Sequence, residues 1–237
     1  MLSPQGRVIM VTGANRVIGI AIARCLHGKG YTLSLGARDV AALDTAVADF
    51  ADARVVTHHF DAYDAISNAA WVAATATQFG RLDGLVNNAG IARSVGLDDD
   101  DEDALDAMWA VNVKAPMRMT RLALPHLKAS GAGRVINIAS LSGKRVPGAD
   151  AGYPMSKFAV MALSHATRQA GWDAGVRVTA VCPGYVRTDM TADVSGFPLD
   201  DMIDPADLAE LVASVIALPN TASVAELPVN CRLEDTL

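Results

Sequence analysis

Short apolar runs of strand length alternate along this chain with longer, alanine-rich stretches of helical character. The runs that we predict as strands are residues 7–11, 31–36, 53–58, 82–86, 134–138 and 176–181. The first run, residues 7–11, is apolar after Arg7 without strict alternation, which is typical of a strand buried on both faces of a parallel sheet. The pattern therefore predicts a parallel sheet.

The stretches between these runs are predicted as helices, at residues 20–26, 40–50, 64–79, 101–128 and 151–172. Alternation of strand and helix implies an α/β fold, a doubly wound sheet with helices on both faces. Pro116 and Pro125 fall within the fourth helix, and proline lacks the backbone donor that a helix needs, so we expect a kink or break there. We find no repeat or linker, so residues 1–237 are interpreted as one domain.

A glycine-containing turn follows the first predicted strand, where residues 12–19 read TGANRVIG and lead into a helix. Backbone N–H groups at a helix start, together with the helix dipole, attract phosphate groups. In this context Gly13 permits a tight turn and Gly19 permits close packing of the helix on the sheet. The segment is a candidate pyrophosphate-binding loop.

A second candidate site combines Tyr153 and Lys157, which are four residues apart, with Ser140, thirteen residues upstream of Tyr153. Residues four apart share a helix face, so the ammonium of Lys157 can approach the phenol of Tyr153. A nearby cation favours the phenolate, so we expect Lys157 to lower the pKa of Tyr153 towards the range useful for general catalysis. Taken alone, a Tyr-x-x-x-Lys pattern is usually a surface feature, and the rest of the chain decides between the two interpretations.

These motifs together resemble the short-chain dehydrogenase/reductase family over residues 6–190. The residues that carry the resemblance are Thr12, Gly13, Gly19, Asp61, Asn87, Asn88, Ala89, Gly90, Asn112, Ser140, Tyr153, Lys157, Pro183 and Gly184. Each of these residues alone is weak evidence, but their order and spacing together are specific to the family. The resemblance implies a Rossmann-like single domain, with the dinucleotide-binding part at about 6–140 and the catalytic and substrate part at about 140–237.

The activity implied by the resemblance is hydride transfer between NADP(H) and a carbonyl or alcohol substrate, with NAD(H) as the alternative cofactor. The implied catalytic residues are Asn112, Ser140, Tyr153 and Lys157. The implied cofactor contacts are Gly13, Asn15, Arg16, Ile18, Gly19, Arg38, Asp61, Asn88, Ala89, Gly90, Tyr153, Lys157, Pro183, Gly184, Val186 and Thr188. No metal is implied.

The preference for NADP(H) depends on two arginines. A carboxylate after the second strand binds the ribose hydroxyls of NAD, whereas an arginine there accommodates the 2′-phosphate of NADP. Here Arg38 follows small residues, no carboxylate occurs before Asp39, and Arg16 could reach the same phosphate from the glycine loop. The alternative is that both arginines are solvated surface groups.

Val17 departs from the family pattern, which has a glycine at this position. A β-branched residue adds bulk and stiffness, so Val17 either points aside or weakens cofactor binding. The second case would favour a non-catalytic nucleotide-binding or regulatory protein of the same fold. An epimerase or dehydratase of the extended family is disfavoured by the short chain.

The sequence says less about the substrate. Residues 189–203 are expected to form a lid over the pocket, and either Arg93 or Arg145 could meet an anionic substrate, although such arginines are more often solvated. The lid is short, which favours a small or medium carbonyl compound. Residues 225–231 favour a last strand, and the helices beginning near residues 101 and 151 are the family's usual dimer surfaces, so we expect a homodimer or homotetramer.

Composition is consistent with a cytoplasmic enzyme. The formal charge of −6 argues against general nucleic-acid binding. We find neither an apolar stretch approaching ~20 residues nor a secretory signal at the start, so no membrane partner is expected. Cys25, Cys182 and Cys231 have no metal or redox spacing, as in a reducing compartment. The acidic residues 98–103 are interpreted as a helix start.

Overall fold

A seven-stranded parallel sheet organises the computed structural model, which describes residues 1–146, 148–192, 194 and 197–233. The strands are β1 (Val8–Thr12), β2 (Thr32–Ala37), β3 (Val55–His59), β4 (Gly84–Asn87), β5 (Arg134–Ile138), β6 (Arg177–Pro183) and β7 (Glu226–Val229). Their order is β3-β2-β1-β4-β5-β6-β7, and every pair is parallel. The six predicted strands are confirmed, and the last strand is present as β7.

Helices cover both faces of this sheet. They are α1 (Val17–Gly28), α2 (Val40–Ala46), α3 (Ala65–Phe79), α4 (Glu102–Met108), α5 (Ala115–Ala129), α6 (Gly152–Gly171) and α7 (Pro205–Ala217). Successive residues of a strand point to opposite faces, so β1 contributes Ile9 and Val11 to one core and Val8 and Met10 to the other. The first core includes α1, α2 and α7, and the second includes α3 and α5. This is the doubly wound, Rossmann-like arrangement predicted from the sequence.

The long helix expected at residues 101–128 is instead three consecutive segments. Between α4 and α5 the residues Trp109–Lys114 form a π-helix. The cause lies partly in Pro116, which has no N–H to donate to the carbonyl of Asn112 four residues earlier. Pro125 lies within α5 without ending it. The break expected from proline is therefore present, and it falls just before Pro116, around Asn112.

Helix α7 is an element that the sequence analysis missed. It begins after Asp204, whose carboxylate accepts a hydrogen bond from the backbone of Ala206 at 2.8 Å, and Pro205 occupies its first turn. An acidic cap followed by proline is an ordinary helix start signal. The buried face of α7, with Leu208 and Val212, packs into the same core as α1. The helix predicted at 40–50 is shorter than expected, since α2 ends at Ala46.

No helix in the described part of the chain combines the length and apolar character needed to cross a membrane.

Candidate active site

A cleft lies at the carboxyl ends of β1 and β4, where the strand order reverses direction and where ligands of open α/β sheets bind. Its volume is about 460 Å³. The predicted cofactor contacts that line it are Gly13, Asn15, Arg16, Ile18, Gly19, Arg38, Asp61, Asn88, Ala89, Gly90 and Thr188. A second hollow of about 460 Å³ lies between α2 and β3 and is lined by no predicted site residue.

The glycine loop forms one wall of this cleft. Gly13 has φ +64°, a conformation that other residues rarely adopt, and a Cβ on Gly19 would lie 2.2 Å from the carbonyl oxygen of Gly13. Asn88 fastens the loop to the end of β4, because its side-chain amide donates to the carbonyls of Thr12 at 2.9 Å and Gly13 at 3.1 Å. Only glycine therefore fits at either position.

The start of α1 differs from the starts of α2, α3 and α7. Those three helices are each capped by an aspartate carboxylate, whereas the residue before α1, Arg16, makes no side-chain cap. The first N–H groups of a helix need acceptors from outside the helix. Since Val17, Ile18 and Gly19 line the cleft, an anion bound there would be the natural acceptor for these groups.

Arg16 and Arg38 are exposed at the rim of the cleft. Neither guanidinium has a hydrogen-bond or ion-pair partner within the described residues. The carboxylate of Asp39, by contrast, caps α2 by accepting from the backbone N–H of Ala42 at 2.9 Å. The rim at the end of β2 thus offers two cations, while its carboxylate is occupied by a helix cap.

The predicted catalytic side chains come together at the end of β5. Tyr153 and Lys157 lie one turn apart on α6, and the Nζ atom of Lys157 is 5.6 Å from the ring centre of Tyr153. The same Nζ donates to the carbonyl oxygen of Ile138, the last residue of β5, at 2.9 Å. Ser140, two residues further, is hydrogen-bonded through its side chain to Tyr153. The structure therefore brings Ser140, Tyr153 and Lys157 into one cluster.

The expected effect of Lys157 on Tyr153 is wrong for this structure. Burial raises the pKa of Tyr153 to about 12, and the hydrogen bond with Ser140 only partly opposes this rise. Burial also lowers the pKa of Lys157 to about 8. The ammonium group of Lys157 is directed to the carbonyl of Ile138. The pKa of the Tyr153 phenol is therefore set mainly by desolvation, and not by the nearby cation.

Asn112 connects this cluster to the cleft. It is buried in the π-helix, its Oδ1 accepts from the backbone N–H of Ile91 at 2.9 Å, and its Nδ2 donates to Ser156 Oγ at 3.0 Å. Gly90 lines the cleft and lies next to both Asn112 and Lys157. A Cβ added at Gly90 would be 3.4 Å from Asn112 Oδ1 and 3.7 Å from Lys157 Nζ. The cleft and the Ser140–Tyr153–Lys157 cluster are therefore adjacent.

The predicted contacts after β6 are only partly found in the cleft. Thr188 lines it, whereas Pro183, Gly184 and Val186 are not among its described lining residues. Val186 is buried and forms a bridge with Ile203. The expected lid, residues 189–203, is anchored at its base by this bridge, and Asp193, Ser195 and Gly196 lie outside the described residues.

Two residues named in the sequence analysis have roles that were not predicted. Thr12 joins the glycine loop to β4, since its hydroxyl accepts from the backbone N–H groups of Asn88 at 2.9 Å and Ala89 at 3.0 Å. Its position directly before Gly13 was the available signal. Arg93, considered earlier for an anionic substrate, lines the same cleft. Among the described residues we find no group of three or more His, Cys, Asp or Glu side chains that could hold a metal ion.

Comparison with known proteins supports the interpretation of these motifs. Residues 7–197 match the family model described as short chain dehydrogenase. The chain is 45% identical over 233 residues to an agropine synthesis reductase of Rhizobium rhizogenes, which covers 97% of this chain and 54% of that protein. It thus spans about half the length of this relative. It is also 32% identical to a ketoacyl reductase of a Nostoc strain, over 91% of this chain and 77% of that protein.

Solved structures of other proteins match this fold over nearly the whole chain. An alcohol dehydrogenase from the archaeon Thermococcus sibiricus, in complex with 5-hydroxy-NADP, has a TM-score of 0.86 and 31% identity, covering 94% of this chain and 95% of that one. A metagenomic short-chain oxidoreductase in complex with NADP has a TM-score of 0.83 and 33% identity, covering 98% and 100% of the two chains.

Proposed function

Since the chain belongs to the short-chain dehydrogenase/reductase family, an oxidoreductase family, we propose that it transfers hydride between NADP(H) and a carbonyl or alcohol substrate. The observation that carries this proposal is the cluster of Ser140, Tyr153 and Lys157 beside a glycine-walled cleft. Relatives named as reductases support the same chemistry.

The cleft fits a phosphorylated dinucleotide. A Cβ on Gly19 would collide with the loop, and the uncapped start of α1 offers N–H groups to a pyrophosphate. Arg16 and Arg38 would bind the 2′-phosphate. NADP(H) supplies the hydride chemistry when bound, and the protein positions and tunes it.

The protein's own contribution is proton transfer. With a pKa raised to about 12, Tyr153 is a neutral phenol at pH 7 and can donate its proton to a substrate oxygen as carbonyl reduction proceeds. Ser140 would hold the same oxygen by a hydrogen bond and stabilise the charge that develops on it. A cationic Lys157 would then favour the phenolate that Tyr153 becomes.

Asn112 would support the return of a proton to Tyr153. Because residue 116 is proline, the carbonyl of Asn112 receives no hydrogen bond from that position and can accept one from a water molecule. Such a water would lie near Gly90, where an added Cβ would be 3.4 Å from Asn112 Oδ1 and 3.7 Å from Lys157 Nζ. This arrangement supports a proton relay from solvent.

The test is Tyr153→Phe. Removing the phenol oxygen removes the proton donor and leaves the cleft intact, so we expect turnover of carbonyl substrates to be abolished and NADPH affinity to stay within about twofold. Steady-state rates and calorimetric titration with NADPH measure the two effects. Turnover within tenfold of the wild type would contradict the assignment.

The second candidate is a nucleotide-binding protein without turnover, favoured only by Val17 in the cleft wall. A panel of ketones and aldehydes with NADPH and NADH separates the two functions. Tight NADPH binding without consumption of any carbonyl would favour the second. We further propose a cytoplasmic homodimer or homotetramer.

A further inference from the structure

The chain from Ile91 to Val95 connects the cleft with the helix that carries Tyr153. At one end, the side-chain amide of Asn112 accepts from the backbone N–H of Ile91 and donates to its carbonyl oxygen, both at 2.9 Å. At the other end, the carbonyl oxygen of Val95 accepts from the backbone N–H of Gly152 at 3.0 Å, and Tyr153 follows directly. Both ends of this segment are therefore fixed to parts of the candidate active site.

Arg93 lies in the middle of this segment, two residues from each fixed end. Two residues of chain span at most about 7 Å, so the backbone of Arg93 lies within that distance of both Ile91 and Val95. Arg93 also lines the cleft, together with Gly90 and Ile91. The lining of the cleft therefore continues through Arg93 towards the start of α6.

The guanidinium of Arg93 is open to a ligand. Its side chain is exposed, and one Nη1 donor bonds the carbonyl oxygen of the preceding residue, Ala92, at 2.9 Å. Its other N–H groups have no hydrogen-bond or ion-pair partner within the described residues. A guanidinium presents pairs of parallel donors that match the two oxygens of a carboxylate. Arg93 is thus a cation in the cleft wall with donors available for an anion.

The other charges of the cleft favour a singly charged anion at this position. Arg16 and Arg38 lie at the rim near the end of β2, where the 2′-phosphate of the proposed cofactor would bind. Asp189, at the start of the lid, lines the same cleft, and within the described residues its carboxylate has no partner. A carboxylate repels a doubly charged phosphate more strongly than a singly charged group. The cleft therefore suits a substrate with one carboxylate.

We propose that Arg93 binds the carboxylate of the substrate, so that the protein reduces oxo acids in preference to neutral carbonyl compounds. The carbonyl carbon gains a hydride from NADPH and its oxygen gains the proton of Tyr153. The product is therefore a hydroxy acid whose carboxylate is unchanged. This inference rests on the proposed carbonyl reduction and names its substrate class.

The experiment compares 2-oxopentanoate and 4-oxopentanoate with their methyl esters, using NADPH and initial rates. In Arg93→Gln we expect kcat/KM for the acids to fall about 10- to 100-fold, as for loss of a charged hydrogen-bond pair, with the esters within about twofold. Arg93→Lys keeps the charge without the bidentate geometry and should retain part of the preference for acids. The matched control is Arg24→Gln, which removes the same charge from an exposed position of α1 outside the cleft lining and should leave the preference unchanged.

Calorimetric titration with NADPH separates a substrate role from a cofactor role. We expect the NADPH affinity of Arg93→Gln to stay within about twofold of the wild type, because no contact with the cofactor is lost. A fall in NADPH affinity with equal losses of kcat/KM for acids and esters would assign Arg93 to the cofactor and overturn the proposal. A wild type without preference for acids, or a preference that Arg93→Gln keeps, would overturn it as well.

If no carbonyl compound is turned over at all, the proposed function fails separately. The role of Arg93 is then decided by calorimetric binding of the same two oxo acids to the NADPH-loaded protein. Binding that Arg93→Gln weakens supports the role, and binding that is absent or unaffected contradicts it.

Discussion

Tyr153 and Lys157 show how burial sets the chemistry of single residues at this site. Burial disfavours the charged form of each group, so the pKa of the phenol is raised to about 12 and that of the ammonium is lowered to about 8. At pH 7 the phenol of Tyr153 is therefore neutral, while Lys157 is still mostly protonated but close to its titration range. A neutral phenol suits proton donation, and a lysine poised near pH 8 responds readily to a new neighbouring charge.

Lys157 costs stability because its charge is buried. A pKa lowered from 10.5 to about 8 corresponds to roughly 3 kcal/mol, offset by the hydrogen bond to Ile138, worth about 1–3 kcal/mol. We expect Lys157→Met to lose at least about 100-fold in turnover yet to unfold about 2–4 °C higher, for a gain near 1 kcal/mol. Thermal unfolding at pH 7 without cofactor, beside activity, measures both.

The pH dependence of the free energy of unfolding provides a control for the stability prediction on Lys157→Met. Below about pH 8 both the folded and the unfolded state bind the Lys157 proton, and the full cost is present. Between about 8 and 10.5 only the unfolded state keeps it, so the free energy of unfolding of the wild type rises with pH relative to Lys157→Met. A variant that is less stable than the wild type throughout this range would refute the account.

Arg16 and Arg38 are expected to set the choice of cofactor. Replacing either with glutamine removes a charge-assisted contact to the 2′-phosphate, so NADPH affinity should fall about tenfold while NADH affinity changes little. Parallel calorimetric titrations with the two cofactors make the measurement, with Arg24→Gln as a charge-matched control. Equal losses of affinity for NADPH and NADH would show that the two arginines do not bind the 2′-phosphate.

At the scale of elements, the start of α1 decides how closely a cofactor can approach. The family pattern has glycine where this helix begins with Val17, and the valine lies in the cleft wall. Val17→Gly should therefore bind NADPH more tightly, by about threefold or more, with only a small loss of stability, because Val17 is the first residue of the helix and valine is a weak helix former. Calorimetry and thermal unfolding measure the two effects.

Val17→Ala separates the two causes in that prediction. Alanine removes the β-branched bulk without adding the backbone freedom of glycine. An affinity between those of the wild type and Val17→Gly would assign the effect to bulk. Unchanged or weaker NADPH binding in both variants would mean that Val17 points aside.

Elements were predictable where one local signal dominated. The six strands are short, mainly apolar runs between glycine-rich turns and alanine-rich stretches, so their existence and nearly their bounds follow from the sequence. Helix α7 was missed although Asp204 and Pro205 mark its start. The π-helix Trp109–Lys114 could not be read from periodicity, because it depends on how Asn112 packs against Ile91 and Ser156 as well as on Pro116.

At the scale of the whole molecule, the helices α5 and α6, which contact each other, expose large apolar side chains to water. Met117 on α5 and Met155 and Phe158 on α6 are 56%, 51% and 44% exposed. We expect this face to be covered by a second copy of the chain, so that sedimentation shows a dimer or tetramer and Phe158→Glu shifts it towards the monomer. Ile66→Glu, at a position 82% exposed on α3, is the control. A monomeric wild type would contradict the expectation.

Identities of site residues were more predictable than their electrostatics. The family motifs placed Ser140, Tyr153 and Lys157 together, as the structure has them. The direction of the Tyr153 pKa failed, since spacing along a helix gives proximity to Lys157 but not depth below the surface. The role of Asp39 as a helix cap could not be predicted either. An aspartate directly after β2 looks the same in the sequence whether its carboxylate binds a ligand or caps the next helix.

The expected lid, residues 189–203, has its two ends held close together. Val186 bridges Ile203, and Arg187 forms an ion pair with Asp204, so both ends of the segment are fixed next to each other. Rigid elements fixed elsewhere hold Tyr153 and Lys157. A longer or shorter loop could therefore be grafted between Arg187 and Asp204 without moving Tyr153 or Lys157. On the proposed function, the range of substrates could therefore diversify in evolution while the groups that transfer the proton stay in place.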